Sequence, residues 1–253
     1  MILSGETTLD DSVFTDIPGR KFIYPCSGTD WNKPLAVFSG RFDEFHFIDI
    51  HYQFSRPVVI ERPGWTLIPA MTVLDGLAID SIRHVQCGGH DHRDISPAWL
   101  QEVYECQRSG RTIRVTRRRG FGQYALDEIA DGSLGVFFHR GDSTGEGGSN
   151  TWFLANRKRR HPPLACLFEK IKRKLAYPAL IVSDGSNTDI SQLRKAAEES
   201  SATAEASLAG KKEFEFSSLR WQRVGEIGSA RGRRTVVWRV EPVEGLRPSC
   251  RST

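Results

Sequence analysis

Apolar positions along this chain gather into short blocks separated by turns rich in Gly, Pro, Ser and Asp. Lys21-Phe22-Ile23-Tyr24 predicts a strand that stops at Pro25 and leaves through the loop Cys26-Ser27-Gly28-Thr29-Asp30. Pro34 suits the first turn of a helix, which runs through Leu35 to Phe38. Glu44 to Tyr52 predicts a second strand, and its near-continuous apolar centre suits burial on both faces. Between Ser55 and Cys87 the pattern allows short strands at Val58–Ile60, Trp65–Ile68 and Ile82–Val85. Two readings compete next: a helix opened by Ser96-Pro97, or a hairpin arm Glu102–Gln107 turning at Ser109-Gly110 into Arg111–Thr116.

The second half is clearer. Gly135–His139 is a buried-type strand that feeds a Gly-rich loop, Arg140 to Asn150. Pro163 opens a helix with Leu164, Leu167, Phe168, Ile171 and Leu175 on one stripe. Ala179–Ser183 is the next strand, followed by a polar-faced helix from Thr188 to Leu208. Phe216–Ile227 and Arg233–Glu241 predict a closing antiparallel hairpin. Strand and helix alternate at both ends of the chain. That order predicts an α/β fold: a mostly parallel sheet flanked by helices and closed by the hairpin. The expected organisation is a lead-in over 1–19, one α/β domain over 20–245 with an insertion at 56–132, and a tail over 246–253.

Composition adds a constraint. The 253 residues are 39% hydrophobic and 26% charged, ordinary values that exclude a fibrous or disordered chain. The net charge of +4 conceals a split. Residues 1–110 carry 9 basic and 15 acidic side chains, whereas residues 111–174 carry 14 and 6. A basic block of this kind suits an anionic small molecule or nucleic acid as partner. The five cysteines show no CxxC spacing. With no apolar run at the start and none long enough for a membrane helix, they predict free thiols and a cytoplasmic protein without a membrane partner.

Candidate chemistry sits where strands end, because ligands of open α/β sheets bind beyond the strands' carboxyl ends. The turn Cys26, Ser27, Gly28, Thr29, Asp30 lets backbone N–H groups approach a ligand. Asp49 follows Gly28 by 21 residues, close to the offset of about 20 at which an acid reaches a ribose hydroxyl. The segment from His139 to Asn150 has four Gly and only small, polar or charged side chains, as a lip over a site would.

The order of these elements resembles a class I S-adenosylmethionine-dependent methyltransferase, a Rossmann-like sheet ending in an antiparallel hairpin. On that resemblance, Cys26 to Asp30 corresponds to the cofactor loop and Asp49 to the ribose-holding acid. Val136 to Ser143 corresponds to the fourth strand and the loop that faces the transferred methyl, with His139-Arg140-Gly141-Asp142-Ser143 in place of an Asn-Pro-Pro-aromatic signature. The resemblance implies S-adenosylmethionine as cofactor. It also implies His139 as base, with Asp142 and Glu146 orienting an acceptor. Arg140, Ser143, Asn150, Arg157, Arg159 and Arg160 would bind that acceptor.

Two other classes draw on different residues. Cys87, His90 and His92 lie within a Cys-Gly-Gly-His-Asp-His-Arg-Asp run whose side chains suit zinc in a metal-dependent hydrolase. Arg117-Arg118-Arg119 and Arg157–His161, with Trp152, Phe153, Trp221 and Trp238 nearby, suit a non-catalytic nucleic-acid-binding protein.

Overall fold

The computed structural model describes residues 9–49, 65–75, 98–106, 109–120, 122–140, 153, 167–186, 188–199, 213–230 and 233–243. Ten strands form one mixed sheet. They are β1 (Lys21–Pro25), β2 (Glu44–Asp49), β3 (Trp65–Asp75), β4 (Ala98–Cys106), β5 (Thr112–Arg119), β6 (Leu134–His139), β7 (Leu175–Ser183), β8 (Glu213–Phe216), β9 (Leu219–Ala230) and β10 (Arg233–Pro242). Their order across the sheet is β3-β4-β5-β2-β1-β6-β7-β10-β9-β8. The neighbours from β5 to β7 run parallel. Antiparallel strands extend both edges: β4 and β3 beyond β5, and β10, β9 and β8 beyond β7. The expected mostly parallel sheet is thus a parallel core of five strands inside a mixed sheet.

Burial explains the core. Every residue of β6 is buried, as a central strand covered on both faces requires. Successive side chains alternate between the faces. Phe22, Tyr24, Phe45, Phe47 and Phe138 join Phe38 and Phe42 in a ring-rich cluster under helix α1 (Asn32–Phe38). Their ring centroids are 4.4 to 6.4 Å apart. Ile23, Phe137, Ile181, Trp221 and Trp238 face the other way. There they meet α2 (Gly122–Ala125), a 3-10 turn over Leu126–Glu128, α3 (Leu167–Lys174) and α4 (Ser191–Glu198).

Several expectations change in detail. The hairpin reading of Ala98–Thr116 holds and the helical one does not. Leu175 starts β7 instead of ending α3. The helix expected from Thr188 spans only Ser191–Glu198 among the described residues. The strand expected from Phe216 is broken by a tight turn at Ser217 and Ser218, with φ of 53° and 63°, so β8 and β9 form a further hairpin. The expected strands at 58–60 and 82–85 lie outside the described residues.

Candidate functional site

The five parallel strands end along one edge, and their order reverses between β1 and β6. From β1 the chain goes outward to β2 on one side, while β6 returns on the other. In open α/β sheets such a reversal is where ligands bind, in the crevice beyond the strands' carboxyl ends.

The loop leaving β1 bends sharply, with Cys26 at φ 59° and Gly28 at φ 51°. Cys26 is half-buried and forms no disulfide. Ser27 is buried and donates its N–H to the Ile48 carbonyl at 3.0 Å, tying the loop to the end of β2. Gly28 donates its N–H to Asp49 Oδ2 at 2.8 Å. The Gly28 and Asp49 positions selected by spacing are therefore in direct contact. Among the described residues, a Cβ built on Gly28 would meet nothing within 4 Å, so none of them covers the loop's outer side. Thr29 is exposed there.

A polar cluster spans the gap between β1 and β6. The Tyr24 hydroxyl lies 3.1 Å from Asp30 Oδ2 and 3.0 Å from the Arg140 carbonyl, two acceptors for its one proton. The Arg140 guanidinium stands 3.4 Å from Asp30 Oδ2. Burial raises the Asp30 carboxyl above its ordinary value, although Arg140 pulls it down. Lys33 is lowered, first by burial and then by Arg140. Tyr24 is raised well above the ordinary phenol value by burial and by Asp30. Asp184, at the end of β7, adds negative charge to the same cluster and anchors a turn by accepting from Ser186 N at 3.0 Å. Partly buried charged groups with shifted titration, gathered at strand ends, make this a candidate ligand site.

Sequence reasoning selected Asp30 and Arg140 but missed Tyr24, Lys33 and Asp184. Tyr24 and Asp184 carried an available signal, a polar group at or just past the end of a buried strand, whereas Lys33 lies within α1. His139 ends β6 as expected, yet it is fully buried, with its ring edge-on to Phe153 at 5.2 Å. A base needs contact with substrate or water, so this placement favours packing over the acid–base role expected of it. Asp142, Ser143, Glu146, Asn150, Arg157, Arg159 and Arg160 lie outside the described residues.

The other two readings meet different outcomes. Cys87, His90 and His92 also lie outside the described residues. Among the described residues no three His, Cys, Asp or Glu side chains gather as a metal site. Arg117 and Arg118 are only 2% and 6% exposed. Arg117 pairs with the buried Glu102 at 3.2 Å and Arg118 with Glu128 at 2.7 Å, so these two are not part of a basic surface. Phe153, Trp221 and Trp238 are core residues and not stacking faces. No described helix is long and apolar enough to cross a membrane. No protein-family model, curated protein or solved structure matches this chain.

Proposed function

We propose that the chain is a methyltransferase-like protein that binds S-adenosylmethionine, or a closely related nucleoside ligand, in the crevice between β1 and β6. One observation carries the reading. Counted among themselves, the parallel strands stand in the order third, second, first, fourth, fifth, the Rossmann-type order, and the Gly28–Asp49 contact sits beside its reversal. The closing β9–β10 hairpin supports the same assignment.

The residues present suit such a ligand. Asp49 offers a carboxylate to a ribose diol from the end of β2. The open side of the Gly28 turn lets the ligand reach the backbone closely. Asp30 and Arg140 present an anion and a cation, 3.4 Å apart, to a zwitterionic amino-acid end. When bound, S-adenosylmethionine supplies an electrophilic methyl group on sulfonium. The protein's task is then to position an acceptor in line and keep water out. The basic block after β6, with Arg157, Arg159 and Arg160, suits an anionic acceptor.

Asp49→Ala against Asp49→Asn, titrated with S-adenosylhomocysteine by calorimetry, tests the ribose contact. Losing a charge-assisted hydrogen bond of about 1.5–3 kcal/mol weakens binding roughly 10-fold or more in Asp49→Ala. Asp49→Asn, which keeps an acceptor oxygen for Gly28 N–H, retains the loop and loses less. Unchanged affinity in both variants rejects the assignment.

A further inference from the structure

A cavity lies on one face of the sheet and reaches Ile48 at the end of β2. β1, β2, β4 and β5 form its floor, and α2 with the following 3-10 turn forms its wall. It encloses about 200 Å³. That is room for about six waters, and less than the ~300 Å³ at which drug-sized pockets begin. It runs from Lys21 at the start of β1 to Ile48 next to Asp49, and neither Tyr24, the Cys26–Asp30 loop nor Asp49 lines it.

Its lining is divided. Ile23, Ile48, Ala125 and Ile129 give an apolar wall, and Lys21, His46, Gln101, Thr116, Arg118 and Glu128 give the polar part. Lys21 and Arg118 bring two cations against the single carboxylate of Glu128. Lys21 and His46 also face Glu44 outside the cavity, at 3.2 and 3.7 Å. Arg118 is nine-tenths buried, which is costly for a guanidinium without an anion, and burial lowers its pKa. Glu128 pairs with it at 2.7 Å, with Asp127 also acting on it, and the Glu128 side chain is 42% exposed and therefore able to swing into water. The cation comes from β5 within the sheet, while the carboxylate that pairs with it comes from a short 3-10 turn.

We propose that this cavity binds a small carboxylic acid with an apolar body. The ligand's carboxylate takes the place of Glu128 at Arg118, and its body lies along Ile23, Ile48 and Ala125. The chemistry requires an oxyanion to match the guanidinium fork and a hydrocarbon part to match the wall.

Calorimetric titration with benzoate, and separately with inorganic phosphate, reads both parts. The wild-type protein takes up one benzoate, and phosphate binds at least 10-fold more weakly because it gains nothing from the apolar wall. Glu128→Gln removes the competing carboxylate and tightens benzoate binding threefold or more. Arg118→Lys keeps the charge but loses the fork, and weakens binding 10-fold or more. Ala125→Phe fills the cavity and abolishes binding, with circular dichroism checking its fold. The proposal is overturned if benzoate fails to bind at about 10 mM. It is equally overturned if phosphate binds as tightly as benzoate, or if Glu128→Gln and Arg118→Lys match the wild type.

Discussion

Glu102 and Arg117 are the least expected residues of the interior. Glu102 is fully buried and Arg117 nearly so, joined by two contacts at 3.2 and 3.4 Å. They sit diagonally across β4 and β5, since Glu102 is in register with Val115. Trp31 lies over the guanidinium, 5.6 Å from ring centre to charge. Breaking a buried pair strands one charge in a poorly solvating place. Glu102→Ala should therefore lower unfolding stability by about 3–5 kcal/mol, whereas Glu102→Leu combined with Arg117→Met costs far less. Urea unfolding of the single and double variants checks this, and equal losses would contradict it.

Glu44 gives a pH effect at the same scale. The His46 ring 3.7 Å away and the Lys21 ammonium 3.2 Å away hold its carboxyl down at about 2 against burial. A depressed carboxyl binds fewer protons in the folded state than in the unfolded one. Its stabilisation is complete above the ordinary value of 4.5 and disappears as pH falls toward 2. Stability of wild type minus Glu44→Gln, measured by urea unfolding between pH 6 and 2.5, should shrink steadily below pH 4.5. A difference that stays constant over that range would refute the pairing.

At the scale of elements, apolar blocks made β1, β2, β6 and β7 legible, because central strands of a covered sheet need little polar character. β4 was harder to read. Its buried positions Leu100, Glu102 and Tyr104 alternate properly, but a glutamate at a core position hides the period. The β8–β9 turn was missed for a related reason. Both central residues need positive φ, and Ser217-Ser218 carries no Asn-Gly or Asp-Gly signal. Ser218→Gly should relieve the left-handed strain, less glycine's own entropic cost, and raise stability by about 0.5–1 kcal/mol. Thermal unfolding checks the sign. Ser217 is less suitable for substitution, because its hydroxyl holds Glu169 at 2.8 Å and Lys172 at 3.1 Å.

For the whole molecule, the charge split has to be read together with burial. The basic block over 111–174 looked like a surface for an anion, yet the buried guanidiniums of Arg117 and Arg118 are spent on Glu102, itself buried, and on the half-exposed Glu128. Lys170 and Lys174 likewise meet Asp127 and Asp131, each at 2.7 Å. Much of the described basic block thus holds strands and helices together. Partner positions fixed by folding are invisible to a charge count. The crevice was more legible than the charge, since the spacing of Gly28 and Asp49 follows from a sheet geometry that many sequences share. Tyr24, Lys33 and Asp184 were not selected, because a polar residue at a strand end or on a helix is common and these come together only once β1, α1 and β7 are assembled.

The central claim is that this crevice holds S-adenosylmethionine, and a calorimetric titration of the purified wild-type chain tests it most directly. The account predicts one site with a dissociation constant at or below about 100 μM, and roughly 2.7 kcal/mol of added stability at a hundredfold excess over that constant. No heat of binding and no thermal shift at about 1 mM ligand would contradict it.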